Sequence, residues 1–382
     1  MTQEVFDPKE LLQPNGPICM VIKAFFEPVG GLDRFQPAGF PEVGHVIYEA
    51  PRPGGNTEKV CIVDSPASMA NHLEAVCLAE RVGFELHSDL KGLPYVCCVT
   101  DRDDQIVGNR IEIREGGSHD RVVATTFTEG HRLASDYFLE GTIGNGSVSQ
   151  RLREKLRQEF RLTEVKKDKV YFLSPEDWWS VFSTIFKYDP NSLVHGLMFA
   201  REQIKIPRFL TGHLEAFGAA RVGRSGVKFD RLGKTTSGQP IFAVDEETAN
   251  KIRATFILDL ALLRSFGSQV SREGKPQTVG LNLSQKELIL LLALWKINRL
   301  LSQPYRFRTG CHLECKSLEI TPSIKGLKLG NNSPGFNIGE AVKACEFSKH
   351  PVIHVYYPAE ELFKPGKEEK ADQPEMGEES EE

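Results

Sequence analysis

Three His-Leu-Glu triplets, His72–Glu74, His213–Glu215 and His312–Glu314, are the nearest approach to catalytic spacing in this sequence. A zinc deaminase needs such a triplet together with a downstream Pro-Cys-x-x-Cys pair, because the thiolates complete the metal site while the glutamate moves the proton. No Cys-x-x-Cys occurs, and no His-Glu-x-x-His. Gly226, Gly233, Lys234 and Thr235 look superficially like a phosphate loop, but six residues separate the two glycines, whereas an amide cradle around a phosphate needs four. Neither G-x-G-x-x-G nor G-x-S-x-G is present. Asp101, Asp103 and Asp104 lack the Gly and Glu of a calcium loop and read as solvated turn acids. The chemistry-bearing residues therefore predict no catalytic group, no metal and no cofactor.

Basic, amide and aromatic side chains interleave at four other places, a mixture that suits single-stranded RNA. The first is Asp33–Gly39, where Arg34 offers a planar fork, Phe35 an aromatic face and Gln36 a two-sided hydrogen-bonding group. An ordinary loop with a surface arginine explains the same residues. The second is Ser65–Asn71, a helix start whose free amides form an anion site, with Ser65, Ser68 and Asn71 as neutral donors. A simple cap accounts for Ser65 alone. The third is a glycine-punctuated basic stretch carrying Arg208, Arg221, Arg224, Lys228, Arg231 and Lys234, read as a projecting hairpin over 206–245. The fourth is Arg299–Arg308, where strand alternation puts Arg306 and Arg308 on one face with Tyr305 and Phe307 between. Amphipathic packing explains those aromatics equally well.

These groups need elements to hold them. Ile18–Phe26 is apolar and reads as a buried strand; Val60–Val63 is a second, running into a helix with Ser65 as N-cap and Pro66 at its first position. Tyr95–Thr100, Ile106–Ile113 and Val122–Thr126 read as strands, Arg151–Phe160 as an amphipathic helix, and Ser174–Phe186 as a helix capped by Ser174 with Glu176 and Asp177 in its first turn. Ala254–Leu263 leans to strand. Ser284–Leu301 is the clearest helix, with Ser284 and Glu287 at capping-box spacing. Arg306–Ile320 and Val352–Tyr356 are late strands. This order predicts an α+β chain with a ferredoxin-like core and long insertions, one domain over 1–366.

The formal net charge of −5 conceals a division. Lys367–Glu382 holds eight acids and two lysines and is read as a disordered acidic tail. Upstream, Met198–Lys234 has eight Lys/Arg against three Asp/Glu, and Lys296–Lys328 seven against two. Such local excess predicts a polyanionic partner unless the patches are merely solvated faces. Eight cysteines without a regular framework fit free thiols in a reducing, cytoplasmic setting. No apolar run reaches the roughly 18 residues of a membrane span.

Several of these stretches resemble one known family in their order and spacing. They are RFQPAGFPEVG (Arg34–Gly44), VDSPASMANHLEAV (Val63–Val76), EGHRLASDY (Glu129–Tyr137), IPRFLTGHLEAFG with SGVKFD (Ile206–Gly218, Ser225–Asp230), and LALWKINRLL with RFRTGC (Leu292–Leu301, Arg306–Cys311). The set, spanning Ile18 to Ile320, resembles the backbone RAMP subunit of type I-G (formerly I-U) CRISPR Cascade complexes. The resemblance implies an RRM-like palm with inserted finger and thumb, the thumb corresponding to Arg208–Lys234. It implies a non-catalytic protein, many copies of which coat the spacer of one CRISPR RNA and leave its bases free for a target DNA strand. Other Cascade subunits and, indirectly, a helicase-nuclease are the further implied partners. The loop Arg34–Gly39 and the helix start Ser65–Asn71 correspond to that family's phosphate contacts. Two alternatives remain: a metal-dependent RAMP endonuclease using Asp33 or His131, and an RNA-free scaffold.

Overall fold

The computed structural model describes residues 6–40, 44–79, 84–100, 122–144, 149–165, 170–224, 245–272, 275–331 and 333–358. In the strand β1 (Cys19–Pro28) Met20, Ile22, Ala24 and Phe26 are buried while the residues between them are not, the two-residue period of a sheet with one covered face. After β2 (Ile47–Pro51) and β3 (Thr57–Asp64), Ser65 caps α1 (Pro66–Ala75) by accepting from the Ser68 amide, as its sequence predicts. The strands β4 (Tyr95–Val99) and β5 (Val122–Thr125) follow, and Ile106–Ile113 lies outside the described residues. Next come α2 (Leu152–Glu159), α3 (Trp178–Tyr188) and α4 (Pro190–His195). Ser174 makes no side-chain cap: the chain first takes a 3-10 turn at Pro175–Asp177, and α3 starts after it.

The glycine-punctuated stretch is not one hairpin. Its first half is β6 (Leu210–Phe217), an inner strand paired on both sides, which buries Leu210, Leu214 and Ala216. Gly212 sits where α1 crosses the sheet, and a Cβ there would lie 2.6 Å from Met69 Cγ, so close approach and not projection explains this glycine. Only β7 (Ala220–Arg224) and β8 (Asp245–Thr248) form a separate two-stranded ribbon. Residues 225–244 between them, Lys228 included, lie outside the described residues.

The apolar run Ala254–Leu263 divides between β9 (Lys251–Asp259) and α5 (Leu260–Ser265), because Asp259 accepts from the Leu262 amide and starts a helix there. The long helix α6 (Leu283–Leu301) is capped two residues earlier than its sequence suggests. Asn282 and Gln285 form the reciprocal box at 3.0 and 2.9 Å, in place of Ser284 and Glu287. The strands β10 (Tyr305–Arg308) and β11 (Cys311–Thr321), α7 (Ile338–Ala344) and β12 (Val352–Tyr356) complete the order.

The chain is thus mixed α+β. A curled, fully antiparallel sheet runs β10-β11-β1-β9-β6-β3-β2. On its buried face α1 packs on β6, and α6 packs against α1, α4 and α7. The second sheet pairs β12 with β4 in parallel and β4 with β5 antiparallel. All eight cysteines are free thiols, and burial pushes those of Cys61, Cys77, Cys97, Cys98, Cys311 and Cys345 up to about 12. Among the described residues no helix is long and apolar enough to cross a membrane.

Candidate nucleic-acid interface

The loop after β1 is stitched to three elements by its backbone. Phe35 and Glu247 of β8 exchange both amide–carbonyl bonds at 2.9 Å. The Gln36 amide donates to the Gly310 carbonyl, in the β10–β11 turn, and the Ala38 amide to Val63 at the end of β3, each at 2.9 Å. Loop position is therefore set by ladder-type bonds despite the irregular sequence. Phe35 anchors it: the ring is 1% exposed, so it belongs to the core and offers no face for a base. This corrects the stacking role read from the sequence; an aromatic between polar neighbours in a loop serves equally as a plug. Arg34 points outward, 49% exposed, with Nε 2.9 Å from Glu246 Oε2. Gln36 is half-buried against Gly310, which needs its positive φ of 74° to make the turn.

At the β3–α1 junction, Asp64 is buried and Arg308 reaches it from β10. The guanidinium donates to Asp64 Oδ1 at 2.5 Å and to the Val63 carbonyl at 2.7 Å. Arg308 is thereby a strut between two elements and no free phosphate contact. Strand alternation fails here because a bulge interrupts the β10–β11 register between Arg306 and Arg308. Arg306 alone stays exposed, donating to Thr309 Oγ1 at 2.8 Å. His72 sits beneath, its Nε2 3.5 Å from both Asp64 Oδ2 and Ser68 Oγ, and its Nδ1 3.3 Å from the Tyr305 hydroxyl. Ser65 is occupied as the cap; Ser68 is half-buried and Asn71 exposed.

The ribbon joins the same surface. Glu247 is fully buried, and its Oε1 accepts from His45 Nδ1 at 3.0 Å and Arg221 Nε at 3.3 Å. Arg221 keeps half its surface in solvent. Arg224 pairs through its backbone with Asp245. Loop, helix start, β10 turn and ribbon thus converge, bringing together Arg34, Gln36, Ser68, Arg221, Arg306 and Arg308 by way of shared partners.

Arg208 does not join them. It lies beside Arg132 and Glu74, toward the other end of α1, where burial and the Arg132 charge lower its pKa. There a buried network ties four segments. Arg132 donates to both oxygens of Glu74 at 2.6 and 2.9 Å, Asn191 Nδ2 to Glu74 Oε1 at 2.7 Å, and Lys296 Nζ lies 2.9 Å from His195 Nε2 and also bonds Asn191. Burial pushes Asp189 up to about 7 despite the Ser192 hydroxyl, and with Lys296 and Arg132 holds His195 well below its ordinary value. This network fixes how α1, α4 and α6 dock, although Asp189 Oδ1 and His195 Nδ1 have no hydrogen-bond partner among the described residues. Sequence reasoning passed it by, although a lysine inside the run Leu288–Leu301 was its signal: a buried ammonium demands partners. His131 is 83% exposed and turns to Glu129 at 3.0 Å. Among the described residues no three His, Cys, Asp or Glu side chains converge as metal ligands.

The sequence profile of the CRISPR-associated protein GSU0053 family matches residues 20–221, more than half of the chain. The chain belongs to this family. No curated protein matches it. For this CRISPR-associated protein the matched span holds nearly all of β1, the Arg34–Gly39 loop, α1, the Glu74–Arg132 pair and β6, and ends two residues into β7. The β10 arginines and β8 lie beyond it.

Proposed function

We propose that this protein is the non-catalytic backbone subunit of a type I-G CRISPR effector complex, several copies binding the spacer of one CRISPR RNA and presenting it to target DNA. The observation that carries the reading is the convergence of Arg34, Ser68, Arg221 and Arg306 around one loop and one helix start. Side chains of this kind satisfy phosphates and sugars without reading bases, as a guide-coating protein requires. A ferredoxin-like palm is part of the reading. The order β11-β1-β9-β6, antiparallel throughout, supports it, with α1 falling between β1 and β6 and α6 between β9 and β11. The ribbon β7–β8 is then the root of the thumb, a narrower assignment than 206–245, and Arg208 lies outside it.

Co-expression with a CRISPR array tests this directly. The purified protein should show a raised ratio of absorbance at 260 to 280 nm, and sequencing should recover RNA of uniform, repeat-derived length. Protein free of nucleic acid would refute the reading; guide cut at a defined internal position, lost on replacing Asp33 or His131, would replace it with a nuclease.

A further inference from the structure

Three successive residues of β8 hold three successive residues of the loop after β1. Glu246 Oε2 lies 2.9 Å from Arg34 Nε, Glu247 exchanges both backbone bonds with Phe35 at 2.9 Å, and Thr248 Oγ1 donates to the Asp33 carbonyl at 2.6 Å. Beneath this seam the Glu247 side chain is fully buried. Its Oε2 has no hydrogen-bond partner among the described residues, so the two donors at Oε1 matter: His45 Nδ1 at 3.0 Å and Arg221 Nε at 3.3 Å. A buried carboxylate is costly unless it is paired in this way. The His45 side chain is 7% exposed, and its backbone pairs with Gly39 at the far end of the loop. Burial, and after it the Glu247 charge, push the Cys61 thiol on β3 up to about 12, which puts the carboxylate on the protein side of the ribbon.

We propose that Glu247 is a positioning residue for the RNA strand: with His45 behind it, it holds Arg221 in place before the strand arrives, so that loop and ribbon meet a phosphate as one preformed jaw. The inference rests on the RNA-binding reading above and adds to it a residue that touches no RNA. A guanidinium is planar, so a bond at Nε sets the direction of the whole group. Arg221 is half in solvent, and a long side chain left to sample its rotamers would have to be ordered at the moment of binding. Exposed, a carboxylate here would repel the phosphate; buried and bonded, it orients the arginine that attracts it.

The test measures binding of single-stranded RNA by the full chain, each variant held below its melting transition. Coulomb's law alone predicts that Glu247→Gln, which removes a negative charge beside the interface, binds RNA more tightly. Positioning predicts the opposite: binding weaker by about three- to tenfold, the cost of ordering one long side chain on binding. In an Arg221→Ala background the same substitution should weaken binding no further, because both act through one guanidinium. Arg221→Lys keeps the charge and loses the planar fork, so it should bind more weakly with the salt slope of wild type. This variant leaves Glu247 a cation, and so serves where Glu247→Gln fails to fold. The proposal is overturned if Glu247→Gln binds as tightly as wild type or more tightly, or if its effect persists undiminished in the Arg221→Ala background. It is overturned too if Arg221→Lys binds as wild type does. In each of these cases weaker binding by Arg34→Ala leaves the backbone-subunit reading standing. Wild-type protein that binds no RNA overturns both readings together.

Discussion

Replacing Arg308 with alanine should unfold the β3–α1 junction before it affects any ligand. Its guanidinium supplies Asp64 Oδ1 with a hydrogen bond at 2.5 Å and the Val63 carbonyl with one at 2.7 Å. Asp64 is fully buried, and its Oδ2 has no hydrogen bond. Truncation would leave that carboxylate without its nearest cation, a change that costs about 3–5 kcal/mol at a buried pair. Arg308 is 23% exposed, so water can enter and screen the charge, which brings the expectation to about 2–4 kcal/mol. For a chain of this size that is a fall in melting temperature of roughly 3–5 °C, readable by calorimetry at pH 7. The double variant Arg308→Met with Asp64→Asn should recover much of the loss, because removing both charges also removes their desolvation. A single variant that melts within a degree of wild type would refute the strut, as would a double variant no more stable than the single. Loss of RNA binding in Arg308→Ala then counts as a contact only at temperatures where the variant is folded.

Arg34→Ala, Ser68→Ala and Asn71→Ala should each weaken RNA binding with little change in melting temperature, since an exposed pair such as Arg34–Glu246 contributes at most about 1 kcal/mol; for Arg34→Ala the salt slope should fall by about one ion, and an unchanged slope would remove it from the phosphate contacts. Asp189, raised to about 7, holds its proton more tightly folded than unfolded, so its contribution is complete below the ordinary carboxylate range and is lost as pH rises toward 7. Asp189→Asn should therefore gain on wild type in melting temperature between pH 4 and pH 7, and parallel curves would contradict the shift. Replacing Arg224 and Lys228 with alanine should abolish long assemblies on RNA in electron micrographs while leaving a folded monomer; Arg221 is better spared, because Glu247 depends on it. Deleting Lys367–Glu382 should leave the melting temperature unchanged, and a fall of several degrees would show that the segment docks.

The sequence by itself determined the elements with strong local signals. The alternation of β1, the Ser65–Pro66 start of α1 and the apolar length of α6 are encoded within a few residues of one another, so propensity and period are enough to read them. The ordered motifs also carried the CRISPR association, which the family match to residues 20–221 supports. Tertiary structure alone decided which side chains remain for a ligand. Phe35 and Gln36 are in a loop by sequence, but partners more than two hundred residues away, Glu247 and Gly310, turn the first into a core plug and half-bury the second. Arg306 and Arg308 look equivalent two apart; a bulge makes one a surface group and the other a strut to Asp64. Gly212 looked like a hairpin glycine and proved to be the place where α1 meets the sheet. In each case the local chain offers the same chemistry either way, and the deciding energy comes from burial and hydrogen bonds to residues distant in sequence, which no local pattern can encode.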